Sequence, residues 1–376
     1  MSEEKEITKP KRKEINKNSE EFLEKYLNNA SPTGFETSGQ KIWSNYMRDF
    51  SDKIQLDNYG TCYALIKGSD TSENPYKVVI EAHADEISYF VSYITSNGLI
   101  YVRRNGGSDH QIAPSKRVHI HTRKEGVVEG HFGWPAIHLR TAKSESAPSL
   151  DNIFIDIGAE TKEEVIGMGV DIGNVITYED TYKTLNDRYY VGKSLDNKMG
   201  GFMIAEVARH LKKSGKVLPF DLYVVNSVQE EIGLRGAQMI TNTIKPDCAI
   251  ITDVTHDTST PMIEQKKHGD IKCGKGPTLT VGPAVHNKLL ELIRETAETK
   301  EIDVQIRPAS GSTGTDTDAF AYSNGGVPSA LIALPQRYMH TTVEMVHKDD
   351  VESVINLIYE TLFNINNSHN FKYFNI

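Results

Sequence analysis

The spacing of apolar residues along this chain changes several times, and each change marks a new element. The first 18 residues are polar and charged, which predicts a flexible extension. After it, Phe22, Leu23, Tyr26 and Leu27 recur at helical spacing. The segment SPTGFE at 31–36 interrupts the pattern, a second helix is predicted to begin near Glu36, and residues 54–67 read as strand. Four short runs rich in Val, Ile, Leu and Ala, at 78–82, 222–228, 249–254 and 330–334, lack regular polar alternation, as strands covered on both faces do. Helical patterns lie at 199–213, 287–299 and 349–364. Strands alternating with helices predict an α/β sandwich.

The stretch from 93 to 177 has a different texture. Short β-like pieces at 118–121, 126–129, 153–157 and 174–177 are broken by Gly, Pro and Ser. Only TKEEV, starting at Thr161, reads as helix, with its Thr and Glu placed as in an N-terminal cap. This predicts a β-rich domain at 93–177 inserted into an α/β domain built from 19–92 and 178–376. A length of 376 residues, more than one compact core usually holds, agrees with two domains.

Charge and composition then exclude several classes. A net charge of −9 with scattered basic residues argues against nucleic acid or an anionic membrane as partner. No apolar run approaches the roughly 20 residues of a membrane-spanning helix, and the charged start lacks the apolar segment of a secretory signal. Cys62, Cys248 and Cys273 form no CxxC pair, which suits a reducing compartment. Together these features predict a cytoplasmic protein.

The candidate chemistry sits where the predicted strands end. VVIEAHADE puts His83 and Asp85 two residues apart, on one face of an extended chain. LYVVNSVQEE ends in Glu230 and Glu231, CAIITDV carries Asp253, and SALIALPQRYMH leads to His340. GKSLDNKMGG places Asp196 just before a helix. Taken singly, each has an ordinary structural explanation, such as a surface pair or a helix cap. Together they form a set of histidines and carboxylates at the strand ends where α/β sheets bind ligands. Burying that many carboxylates together is costly without cations. Imidazole and carboxylate suit Zn²⁺ or a similar first-row ion. Five ligands exceed what one open catalytic zinc takes; they fit two ions about 3.5–4 Å apart sharing a bridging carboxylate, and leave a sixth group as a base.

The ordered motifs AHADEI, DIGAETKEEVIGMGV, SLDNKMGG, QEEIGLRGA, DVTHDT, GTDTDA and GGVPSALIALPQRYMH resemble the tetrahedral aminopeptidases, the di-metal family that includes glutamyl and deblocking aminopeptidases. The resemblance runs from near residue 31 to the last helix. It implies a mixed-sheet α/β/α catalytic domain, and a small PDZ-like β-barrel at 93–177 through which dimers form and build a tetrahedral dodecamer. It implies His83, Glu231, Asp253 and His340 as metal ligands, Asp196 as the bridging ligand, Glu230 as general base, and Asp85 as the carboxylate that orients His83. It also implies a cis Asp196–Asn197 bond. Two divalent ions per subunit are expected, Zn²⁺ first, with Co²⁺ or Mn²⁺ acceptable to the same donors. Thr315 and Asp316, in GTDTDA, are candidates for shaping the pocket for peptide substrates. Ser88 stands where the family usually has Gly. His256, in DVTHDT, is read as structural rather than as a sixth ligand, and His347, past the site, as an ordinary surface residue.

Other classes remain open at this level. A co-catalytic metal deacylase or dipeptidase would use the same metals and base. A glycosidase, a label some members of the family carry, needs two carboxylates but no His–Asp cluster. A metal-bound assembly protein would have no use for Glu230.

Overall fold

The computed structural model describes residues 15–124, 126–141 and 146–374. Residues 1–14, most of the predicted extension, lie outside that set. Order begins earlier than the composition predicts, because Asn16 caps a helix at Lys17–Asn28 by accepting the Ser19 N–H at 3.0 Å. The apolar face read from the sequence is the one that packs: Phe22, Leu23, Tyr26 and Leu27 are all buried.

The four apolar runs become Lys77–His83, Asp221–Ser227, Cys248–His256 and Ser329–Arg337. They lie side by side and parallel in the order Asp221–Ser227, Lys77–His83, Cys248–His256, Ser329–Arg337. Their carboxyl ends therefore share one edge. Nearly every residue in them is buried, so both faces of this part of the sheet are covered. On one side the Lys53–Leu56 and Cys62–Ile66 strands continue the sheet antiparallel; on the other, Glu344–His347, Tyr189–Gly192 and Lys183–Leu185 do so. With the branch Thr278–Val281 and Gln305–Pro308 it has eleven strands. This is a mixed-sheet α/β fold.

The helix Leu195–Ser214 is buried through Leu211 and lies against Lys77–His83 and Cys248–His256. Two glycines early in it allow that approach. A Cβ on Gly200 would sit 2.9 Å from the Ala82 Cβ, and one on Gly201 2.9 Å from the Tyr26 hydroxyl. The backbone of Asp196 and Asn197 is not helical and their peptide bond is cis, so regular helix begins after them, as the 199–213 pattern predicts.

The β-rich insert is a closed six-stranded barrel of Ser88–Ile94, Ile100–Asn105, Phe154–Asp156, Val127–Gly133, Arg117–His121 and Val175–Tyr178. It has its own core around Tyr89, Ile120, Phe132, Ile155 and Ile176. Thr161 caps the Lys162–Gly167 helix, accepting the Glu164 N–H, while Glu164 reaches back to the N–H of Glu160. The first barrel strand starts five residues after His83, so the chain passes directly from the sheet edge into the barrel.

Candidate active site

The common edge of the four parallel strands gathers the candidate residues. His83 ends its strand; Asp253 lies on the neighbouring strand near the same level; Glu230 and Glu231 follow Ser227. The two glutamates sit in a short 3-10 turn at Glu230–Ile232, not on extended chain, after Gln229 takes a left-handed conformation. His340 is also left-handed, in the loop after the Ser329–Arg337 strand.

Asp196 lies between the two histidines. Its Oδ1 is 3.1 Å from His83 Nε2, and its Oδ2 is 3.2 Å from His340 Nε2. On the first side, Asp253 Oδ1 and Glu230 Oε2 each lie 3.9 Å from His83 Nε2. On the second, Glu231 Oε1 lies 3.4 Å from His340 Nε2. Two groups of donor atoms result, His83, Asp196 and Asp253 on one side and Asp196, Glu231 and His340 on the other, each close enough to converge on one ion. A third group combines His83 with Glu230 and Glu231.

The electrostatics of this crowding are severe. Burial, reinforced by Asp316, Asp253 and Glu231, pushes the Glu230 carboxyl up to about 10 against the pull of His83. Burial also raises Glu231, with Asp196 adding to it, and raises Asp253 well above the carboxylate range. Asp196 is held below that range: burial opposes its charge, but hydrogen bonds from His340 and His83 outweigh it. Burial works against a charged His340, yet Asp196 and Glu231 lift it to about 11. Protons on imidazoles and carboxyls thus relieve repulsion that divalent cations would relieve more completely.

Three further acids hold the loops that carry these groups. Asp85 accepts the backbone N–H of Glu230 at 3.0 Å, that of Glu231 at 3.2 Å, and the Thr33 hydroxyl at 2.8 Å. Its Oδ1 also approaches His83 Nδ1 at 3.3 Å, without hydrogen-bond alignment. Glu344 accepts the N–H of His340 at 2.8 Å and that of Asp196 at 3.1 Å, so one carboxylate sets two of the candidate ligands. Glu86 accepts from Lys193 at 2.6 Å, Lys198 at 3.2 Å, the Ser194 hydroxyl and the Ser31 N–H. Neither Glu86 nor Glu344 was singled out from the sequence. A charged residue in an otherwise apolar strand, as in TTVEMVH, is a signal that could have pointed to Glu344.

The barrel reaches the site through Gly106 and Gly107. A Cβ on Gly107 would come within 2.7 Å of His340 Nδ1, so this backbone packs directly on the imidazole. Ser88, where a glycine is usual, is buried and accepts from Asn105 Nδ2 at 2.9 Å, which ties the first two barrel strands together.

A cavity of about 420 Å³ opens over the cluster, a volume suited to a small ligand. Its walls include Thr315, Thr313, His256, Arg307 and Met339. Asp316, paired with Thr315 from the sequence, is not on that wall. It is buried beneath, where Oδ2 accepts from the Ser227 hydroxyl at 2.7 Å. His256 is at the wall and exposed, unlike a structural histidine of the core. His347 has a definite role: its Nδ1 accepts the Asp349 N–H and caps the Lys348–Asn364 helix. Arg307 was not found from the sequence, because QIRPAS carries no motif that places it near His83.

Residues 60–357 match the M42 glutamyl aminopeptidase family. The lysyl aminopeptidase of Pyrococcus furiosus is 31% identical, over 90% of this chain and 94% of its own length. The TET aminopeptidase of a marine-sediment Thaumarchaeota archaeon superimposes with a TM-score of 0.87 at 29% identity, covering 93% of this chain and 97% of that one. The TET1 peptidase of Pyrococcus horikoshii, which can assemble into a tetrahedron or a large octahedral shell, does so at 0.80 and 26% identity, covering 92% and 100%. A match of this extent on a common fold establishes that the chain belongs to the M42 glutamyl aminopeptidase family, and so is a peptidase hydrolase.

Proposed function

We propose that this chain is a metal-dependent aminopeptidase that removes N-terminal residues from peptides by attack of water, with Glu230 carrying the proton. The observation that supports it most is Asp196, whose two oxygens face two different histidines. That arrangement suits a carboxylate shared between two cations, one held with His83 and Asp253 and the other with Glu231 and His340. The donor set fits: imidazole and carboxylate only, with repulsion among the acids that cations relieve. Bound there, the ions supply acidification of water and polarisation of the scissile carbonyl. We assign Zn²⁺ first, as in the sequence reading.

Glu230 is the acid left for proton transfer. It lines the cavity beside both donor groups, and its backbone is fixed through Asp85. In the proposed cycle it takes a proton from water as the carbonyl is attacked and passes it to the departing amine. With cations held beside it, the Glu230 carboxyl would be drawn down from its raised value, and so would be ionised and able to accept the proton. Asp85 and Glu344 act as positioning residues.

Among the described residues no helix is long and apolar enough to cross a membrane. The three cysteines are buried and unpaired, which supports a reducing, cytoplasmic setting. Exposed Val127, Ile137 and Leu139 on the barrel and the loop after it support its role as an association surface. With the assembly of the Pyrococcus horikoshii relative, this leads us to assign a homo-oligomer built through the barrel, a tetrahedral dodecamer.

Glu230→Gln should retain bound zinc and lose turnover of leucyl-p-nitroanilide by about 10²–10⁴-fold; loss of zinc, or near-normal turnover, contradicts the assignment. Metal binding should also release protons. His340 holds its proton up to about 11 because of Asp196 and Glu231, so at pH 7 an incoming cation must displace it, and affinity falls as pH falls. Calorimetry of zinc binding in two buffers of different ionisation heat reads this; no net release at pH 7 counts against the site. Light scattering after size exclusion should give a mass many times the 42.1 kDa of one chain, and a monomer refutes the assembly.

A further inference from the structure

Glu36 closes the SPTGFE segment, which the proposed chemistry does not use. It stands just before the Thr37–Met47 helix, yet its side chain does not cap that helix. The side chain is buried and turned toward the loop after the Asp221–Ser227 strand. Its Oε1 accepts the Gly34 N–H at 2.7 Å and, from the far end of the chain, the Gln229 N–H at 3.2 Å. Gly34 is left-handed, at φ 84°, which lets its N–H turn back to the carboxyl two residues on. One turn further along the helix, Gln40 donates to the Asn226 carbonyl at 2.8 Å and accepts the Asn226 side-chain N–H at 2.9 Å. The start of the helix is thereby tied to the end of the strand, with Glu36 beside the chain that leaves it.

That chain presents three successive N–H groups. Gln229 is left-handed, and Glu230 and Glu231 follow in the 3-10 turn. Backbone of this kind gathers its N–H groups around an acceptor. Two side chains take that place: Glu36 accepts from Gln229, and Asp85 accepts from Glu230 and Glu231. A left-handed conformation is unfavourable for a residue with a Cβ, so Gln229 needs support that the next two residues do not. Burial and the nearby Asp85 push the Glu36 carboxyl up to about 7, while the N–H groups of Gly34 and Gln229 pull it back. An acceptor oxygen is present in both its charged and its neutral form, so the oxygen, rather than the charge, is what the turn uses.

We infer that Glu36 is a positioning residue for the reaction: through the Gln229 N–H it sets the turn that aims Glu230 into the cavity. This rests on the reading of Glu230 as the proton carrier. Asp85 holds the turn at residues 230 and 231, and Glu36 holds its left-handed start. The displacement it prevents need only be small, since misplacing a reacting group by about 1 Å can cost about 100-fold in rate.

The test compares wild type, Glu36→Gln and Glu36→Leu, each loaded with zinc and checked for metal content and melting temperature, with leucyl-p-nitroanilide as substrate. Glu36→Gln keeps an acceptor oxygen on a side chain of the same length and should retain most of kcat. Glu36→Leu has no acceptor and should lose kcat about 10- to 100-fold, with KM and zinc content near those of wild type. A lower melting temperature with unchanged kcat would mean a role in stability only, and overturns the inference. Loss of zinc overturns it as well, since the effect would then fall on Glu231. So does an equal loss of kcat in Glu36→Gln. If Glu36→Leu does not fold, Glu36→Asp takes its place: it withdraws the oxygen by one methylene and should also lower kcat, and unchanged kcat there overturns the inference. In a Glu230→Gln background, Glu36→Leu should cost almost nothing further, because the two act as a unit; a full further loss shows that Glu36 acts elsewhere. Near-normal turnover in Glu230→Gln alone defeats the reading of Glu230 and this inference with it. A loss there beside unchanged kcat in Glu36→Leu defeats this inference alone.

Discussion

Everything at the sheet edge follows from the mutual repulsion of buried carboxylates. Asp196, Glu230, Glu231 and Asp253 line one cavity, with Asp85, Asp316 and Glu344 buried close by. Anions this close and this dry cannot all be charged without compensation. Two histidines supply part of it, and the donor atoms are arranged so that cations can supply the rest. Asp196 is where the two halves meet, because each of its oxygens has a separate imidazole.

The fold exists around that constraint. Four parallel strands bring their carboxyl ends to one edge, which gives His83, Asp253 and the two loops a common level. The glycines at 200 and 201 let the following helix lie close to Ala82 and Tyr26, and this sets the depth of Asp196 at its start. Loops are then fixed by acids that accept backbone N–H groups: Asp85 for Glu230 and Glu231, Glu344 for Asp196 and His340. These bonds position the candidate ligands without using any donor atom that a cation would need. The barrel contributes as well, since the backbone at Gly107 backs the His340 ring. Assembly through the barrel, as proposed, would thereby have a direct mechanical connection to the site.

Much of this was legible in the sequence, for reasons that differ by residue. The central strands could be read because both of their faces are covered, so their apolar runs are continuous. His83, Asp253 and His340 could be read because they interrupt or follow such runs. The 3-10 turn at Glu230 was not legible: a Glu-Glu pair looks the same on extended chain, and the turn depends on the left-handed Gln229 and on Asp85 from the connection after the Lys77–His83 strand. Asp316 looked like a pocket residue because GTDTDA reads as a loop, whereas Ser227 draws its carboxylate inward. Arg307 could not be placed from the sequence, since its partner Thr255 is far away along the chain. Glu344 left only the signal of a charge in an apolar strand, and its bond to the Asp196 N–H is likewise made by the fold.

The central claim is that Asp196 joins two cation sites. Anomalous diffraction from crystals of the zinc-loaded protein measures it most directly. The account predicts two peaks, one in contact with His83 and Asp253 and one with Glu231 and His340, with an oxygen of Asp196 bonded to each. A single peak, or two peaks with Asp196 bound to only one, would contradict it.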